Sequence, residues 1–192
     1  MKTNCIDKFL ENNLEPERLV HTEGVIKMAV KLAEIYGEDV DKAKLAGKYH
    51  DMAKCFDDSE LDGYVRRYNL PIKYIGKPNI SHAKVSAEMI KDKYKETDEE
   101  ILNAVSYHTT GRAGMSLLEE IIYVADAIEV NRDYEGVESI REMAFKDLHK
   151  ASLMIIESTI DRVTRAGRYL DDDTVAAKKY IEDMIKEEVN GK

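Results

Sequence analysis

HDMAK, residues 50–54, is the stretch that decides how this chain is read. In it an imidazole and a carboxylate stand side by side. On a helix, neighbouring residues point about 100° apart. His50 and Asp51 can therefore meet at one point only at a helix end or a local distortion, which sets the pair apart from an ordinary surface pattern. The same residue types recur outward from it, with His21 before it and His82, His108 and Asp126 after it. Together these use four of the five histidines in 192 residues. Imidazole nitrogen with carboxylate oxygen suits a divalent transition metal such as iron, manganese, cobalt or zinc. The fifth histidine, His149 in KDLHKASL, reads as an ordinary hydrogen-bonded or partly exposed residue.

The pattern around these residues is helical throughout. Only three prolines and ten glycines punctuate the chain, while Ala, Leu, Glu, Lys and Met are plentiful. No period-2 alternation persists and no internal repeat is visible. The expectation is one all-α domain over 1–192, with a core of about 17–130 and C-terminal helices over about 137–189 packed on it. The spacing predicts a short helix over 5–12 and a second from Pro16 to a Gly37 cap. A third runs from Val40 to the His50-Asp51 pair, and a Ser59-led helix is stopped after Leu70 by Pro71. The next is capped by Asn79 or Ser81, with His82 in its first turn. An Asp98-capped helix ends at His108. A Ser116–Glu119 capping box opens the helix carrying Asp126. Two more are predicted near 137–167 and 174–189. Most of the six candidate ligands fall at helix starts or ends on different helices, which is how a bundle assembles a central site.

Composition bounds the function. Hydrophobic content of 43% with 35% charged residues is that of a globular protein. The net charge is −9, from 29 basic and 38 acidic side chains, which argues against nucleic acid or an anionic membrane as partner. A small anionic ligand remains compatible, held by a metal and local Lys or Arg. Cys5 and Cys55 make no disulfide framework and read as reduced thiols, Cys55 as a small core residue. The N-terminus lacks the apolar run of a signal peptide, and no stretch approaches about 18 apolar residues. A cytoplasmic location follows as expectation. The amphipathic first helix and eight methionines leave a homodimer open. Asp126, inside the nearly apolar IIYVADAI at 121–128, needs a metal or a cation to offset its desolvation.

Several side chains suit an anion. Lys54 follows Asp51 by three residues and Arg18 precedes His21 by three, each about one helical turn. Arginine's planar fork matches phosphate. In HTTGR, 108–112, Gly111 permits a tight turn, and threonine hydroxyls with backbone N–H groups can cradle a phosphate. A plain helix connection explains the same residues. Tyr169 is one of eleven tyrosines that could stack on a base.

The order H…HD…H…H…D resembles the HD-domain metal-dependent phosphohydrolases. HDMAK, YHTTGRAGMS at 107–116 and IIYVADAIEVNRDYEGV at 121–137 together resemble the YqeK family, the symmetrical bis(5'-nucleosyl)-tetraphosphatases of that superfamily. The likeness runs from about Arg18 to about Lys178. It implies an HD-type helical bundle that cleaves diadenosine tetraphosphate with water to two ADP by a metal-bound hydroxide. It implies His21, His50, Asp51 and Asp126 as metal ligands, with His82 and His108 serving a second ion and Asp51 bridging. Iron is the implied metal, in one or two ions, where ligand type alone permits manganese, cobalt or zinc. Asp51, Lys54, His82 and His108 are the implied catalytic residues. The implied nucleotide contacts are Arg18, His21, Lys54, His82, Thr109, Arg132, Tyr169 and Thr174, with Arg132 in the position of the family's arginine. GRYLDDDTVAAKKY, 167–180, departs from the family by AKK where ARN is common, which puts a nucleotide role for Lys178 in doubt. Asp171–Asp173 reads as the N-terminal cap of the last helix.

Three rival readings stay open. One is another HD-type phosphohydrolase, acting on a nucleoside monophosphate, a triphosphate or a cyclic dinucleotide. A second is a diiron oxygenase. The third is a nucleotide sensor, which would be expected to have lost a ligand; none is lost here.

Overall fold

Punctuation residues set the helix ends in the computed structural model, which describes residues 2–190 and the side chains of 6–187. Ten helices follow in order among the described residues: α1 Lys2–Asn13, α2 Pro16–Tyr36, α3 Val40–Tyr49, α4 Asp58–Arg67, α5 Pro78–Tyr94, α6 Glu99–Tyr107, α7 Leu117–Ile128, α8 Val137–Ala144, α9 Leu148–Arg165 and α10 Asp172–Asn190. Short 3-10 turns lie at Met52–Cys55 and Ile72–Tyr74, and no strand occurs among these residues. Gly37 closes α2 at φ 77°, a left-handed cap that glycine adopts without strain. Asp98 caps α6, and Ser116 with Glu119 forms the capping box of α7. Each satisfies N–H groups that have no partner inside the helix.

Four boundaries differ from the sequence expectation. The first helix begins at Lys2, not Cys5, and Cys5 lies outside the described side chains. Asp57, not Ser59, starts α4 through a capping box with Glu60, and α4 ends at Arg67. Neither Asn79 nor Ser81 caps α5, which starts at Pro78, so His82 stands in its second turn. The single helix expected over 137–167 is two, because the Asp147 side chain accepts from the Lys150 N–H and starts α9 afresh.

The core forms around α7, which packs against α2, α3, α6, α8 and α9. Ile121, Ile122, Val124 and Ile128 are fully buried there. Each such side chain contributes roughly 1.5–3 kcal/mol of burial. Ile6 and Leu10 of α1, with Leu14 just after it, join the same core. A smaller cluster of Leu61, Val65, Tyr74, Val85 and Met89 joins α4 to α5. None of the described helices is long and apolar enough to cross a membrane.

Lys84, on α5, is buried at 5% exposure with its ammonium 3.4 Å from the Tyr107 ring centroid. Burial pulls its pKa down to about 8. The unfolded chain, with a lysine near about 10.4, then holds the extra proton between those two values. Stability therefore rises with pH across that window. Relative to Lys84→Met, the wild type should gain about 3 kcal/mol between pH near 7.5 and near 10.5. Parallel denaturant melts at the two pH values check this. A constant difference would place the ammonium in water.

Candidate metal centre

Five segments deliver the six side chains. His21 lies on α2, one turn after Arg18. His50 caps the C-terminus of α3, its N–H still bonded to the Ala46 carbonyl. Asp51 then leaves helical conformation at φ −106° and ψ 18°, and the chain tightens into the 3-10 turn. That break is what lets the two neighbours face one centre. His82 comes from α5, His108 ends α6, and Asp126 sits in the last turn of α7.

Each imidazole is held from behind. The Nδ1 of His50 lies 2.7 Å from the Gly47 carbonyl, that of His82 2.8 Å from Pro78 and that of His108 2.8 Å from Val105. The Nδ1 of His21 lies 3.2 Å from Glu129 Oε1. A carbonyl can only accept, so the Nδ1 atoms of His50, His82 and His108 carry the hydrogen, and carboxylate-bound His21 matches them. This leaves Nε2 of every ring turned inward as a lone pair.

The inward atoms sit too close to be left alone. Nε2 of His21 and His50 are 3.3 Å apart, as are those of His82 and His108. Asp51, 3% exposed, divides its oxygens between the two pairs. Its Oδ2 lies 3.5 Å from His50 and 3.8 Å from His21, while Oδ1 lies 3.2 Å from His82 and 3.5 Å from His108. Asp126 Oδ1 joins the first pair, 3.0 Å from His21 Nε2. Facing acceptors at such distances need a proton or a cation between them. His21, His50 and Asp51 form one group able to hold a metal ion, and Asp51, His82 and His108 a second. The donor set therefore fits a divalent metal, with Asp51 common to both groups.

The electrostatics agree. Burial alone would raise the Asp51 carboxyl, but His50, His108 and His82 outweigh it and hold it well below the usual range. Asp126 behaves alike: burial raises it, and His21, His50, His108 and Arg132 bring it far down. Burial pushes His82 down to about 4, so it stays neutral and ready to ligate. His50 is buried too, yet the Asp51 carboxylate beside it carries its pKa upward.

The centre forms the floor of a cavity of about 770 Å³. Arg18, Lys54, Thr109, Arg132, Tyr169 and Thr174 all line it. Arg18 Nη1 lies 3.2 Å from Asp51 Oδ2. Arg132 gives Nη2 to Asp126 Oδ1 at 2.7 Å and Nε to its carbonyl at 2.9 Å. Asp126 thus has, in Arg132, the cation that its sequence context demanded, and it lies beside the first histidine pair. Burial lowers the Lys54 ammonium. Thr109 Oγ1 is buried with no hydrogen-bond partner.

Other side chains singled out in the sequence stand apart from the metal-binding residues. Arg112 of HTTGR is tied to Glu119 through Nε and Nη2, both at 2.6 Å, so that arginine buttresses the α6–α7 turn. Thr110 donates to the Gly111 carbonyl, and Gly111 adopts φ 63° as the turn requires. Lys178 pairs with Glu157 and Glu182 on the surface. His149 bonds to buried Glu120. Cys55 donates Sγ–H to the Met52 carbonyl, and burial raises its thiol pKa. Asp171 does cap α10, its Oδ1 accepting from the Asp173 N–H, but Oδ2 is a buried, unpartnered oxygen and the residue lines the cavity.

Sequence reasoning passed over Glu129 and Arg141. Glu129 is 1% exposed, and its Oε2 accepts from Asn131 N and Nδ2 at 2.8 and 2.9 Å. Arg141 reaches back to the carbonyls of Ile128, Glu129 and Arg132 at 2.7–2.8 Å and so fixes the end of α7. Gly24 makes room for the Glu129 carboxylate, since a Cβ there would lie 2.2 Å from Oε2. Gly24→Ala should therefore displace Glu129, free the His21 ring and weaken metal affinity about 10- to 100-fold. Metal titration checks this. Unaltered affinity would mean that His21 needs no support from Glu129.

A helical bundle enclosing histidines and aspartates on its inner helix ends defines a class. The chain belongs to the HD-domain family, whose model matches residues 18–131. Nearer still, it is 37% identical to the symmetrical bis(5'-nucleosyl)-tetraphosphatase of Bacillus subtilis, over 90% of this chain and 93% of that one. It is 39% identical to the Staphylococcus aureus protein of the same name, over 72% of each. A solved structure from Clostridium acetobutylicum, described as a "predicted HD superfamily hydrolase involved in NAD metabolism", superposes with TM-score 0.91 at 38% identity. That match covers 95% of this chain and 97% of the other.

Proposed function

We propose that this chain is a metal-dependent symmetrical bis(5'-nucleosyl)-tetraphosphatase that converts diadenosine tetraphosphate and water into two ADP. The observation that carries the reading is the convergence of four Nε2 lone pairs on the divided oxygens of Asp51 at the floor of a cation-lined cavity. His21, His50, Asp51 and Asp126 would hold the first ion, and His82 and His108 with Asp51 a second. Iron is the ion favoured by resemblance. When bound, such metal supplies an acidified water and takes up charge on phosphoryl oxygens.

The chain's own residues supply the rest. Six cationic side chains line the cavity (Arg18, Lys54, Lys77, Arg132, Arg162 and Arg168) against Asp51, Asp126 and Asp171. A chain of net charge −9 thus turns a locally positive wall toward a polyphosphate. Arg18 holds Asp51 and Arg132 holds Asp126, so each guanidinium sits where a phosphate oxygen would meet it. Lys54, desolvated beside them, offers a point charge to the bridging phosphates. The leaving group is a nucleoside diphosphate, a weak base, so charge stabilisation outweighs protonation as the task of these residues. Thr109 with its unpartnered hydroxyl, Tyr169 and Thr174 complete the nucleotide contacts.

The test is product analysis. The chain is reconstituted with ferrous iron or manganese, given diadenosine tetraphosphate, and the nucleotides are separated. ADP alone is the expected product. AMP with ATP would overturn the symmetrical cut. No turnover with metal bound would overturn the assignment and favour a different HD-type phosphohydrolase.

A further inference from the structure

The cavity extends beyond the metal-binding floor in two directions. One arm runs toward the starts of α5 and α10, where Lys77 Nζ lies 4.3 Å from the Tyr169 ring centroid and Thr174 lines the wall. The other runs between α7 and α9. Ile155, Thr159 and Arg162 line it from α9, with the cap residue Ala166, at a spacing that keeps them on one helical face. Tyr123, one turn before Asp126 on α7, and Tyr134 face them.

This second arm carries groups that the fold leaves unused. The Tyr123 hydroxyl is buried, in a residue 3% exposed, and faces Thr159 without a hydrogen bond of ordinary geometry. A buried phenol so weakly partnered is costly unless something fills the place. Among the described residues, the Arg162 guanidinium makes no ion pair or hydrogen bond, yet it lines the cavity. The Tyr134 ring is 38% exposed, although its hydroxyl is fixed to the Ala127 carbonyl at 3.0 Å. A fixed aromatic face, a waiting hydroxyl, a free guanidinium and the apolar Ile155 suit a purine nucleoside carrying a 5'-phosphate.

The substrate class explains why two arms are needed. A dinucleoside tetraphosphate cut at its centre has equal halves, which must lie on opposite sides of the metal floor. Each arm is tied to one metal-binding group: Asp126, 3.0 Å from His21 of the first, shares α7 with Tyr123, and His82 of the second stands on α5, which begins directly after Lys77. We infer that the α7–α9 arm is a second nucleoside diphosphate half-site, built on Tyr123, Tyr134, Thr159 and Arg162. It selects substrates bearing a nucleoside at both ends. This inference rests on the dinucleotide reading above.

Two measurements test it. The first is calorimetric titration of the manganese-loaded chain with ADP, which should show two sites per chain, falling to one in a Tyr134→Ala/Arg162→Ala variant. A single site in the wild type would overturn the inference. The second compares diadenosine tetraphosphate with adenosine 5'-tetraphosphate, which has one nucleoside. In that variant kcat/KM should fall about 10- to 100-fold further for the dinucleotide. Equal falls, or none, would overturn the half-site. Tyr123→Phe keeps the ring packing and melts no lower than wild type, and it should raise KM for the dinucleotide alone. Should the chain prove not to cleave dinucleotides, the ADP stoichiometry still decides the half-site by itself.

Discussion

Asp51→Ala should lose metal and activity together, with a rate reduction on the order of 10³-fold or more. Among the described residues Asp51 alone belongs to both groups of the centre, its two oxygens facing different histidine pairs at 3.2–3.8 Å. Removing it leaves each pair a ligand short. The helices need not follow, since Asp51 stands at a break between α3 and a 3-10 turn and not inside either. Metal analysis, circular dichroism and turnover on the same preparation separate these effects. Lys54→Ala is the contrast: it should keep its metal and lose only rate or substrate affinity. Full activity in the Asp51 variant would sink the metal mechanism.

Stripping the metal should lower the melting temperature by on the order of 10 °C. An ion present at about 1,000 times its Kd stabilises by about 4 kcal/mol, and a chain of this size shifts roughly 2–4 °C per kcal/mol. The structural cause is specific. Without a cation, Nε2 atoms 3.3 Å apart must share protons instead. Metal and proton then compete for the same lone pairs, so the stabilisation should shrink as pH falls. Melts with a chelator and with added manganese, at neutral and mildly acidic pH, check both statements. Identical melting curves would show that protons alone satisfy the centre.

The sequence made the helices legible because their caps are local. Gly37, Asp98 and the Ser116–Glu119 box act within one turn of themselves, and the structure uses them so. It missed the division of α8 from α9, where Asp147 interrupts a continuous apolar periodicity. The six converging side chains were legible as a set because histidine is scarce and the His50-Asp51 adjacency is unusual. The partners of Glu129 were not: they lie 108 residues away at His21 and in the space left by Gly24. The role of Arg112 was hidden likewise, since its pairing with Glu119 forms only once α7 has folded back on the turn.

Of the four contacts that orient the imidazoles, three end on main-chain carbonyls and one on a side chain. A carbonyl survives every substitution at its own position, so drift in sequence leaves three of the four rings aimed as before. Among these four contacts, variation can alter ring basicity only through Glu129. A lineage that moved to a different metal supply could retune its centre there without exchanging a single ligand.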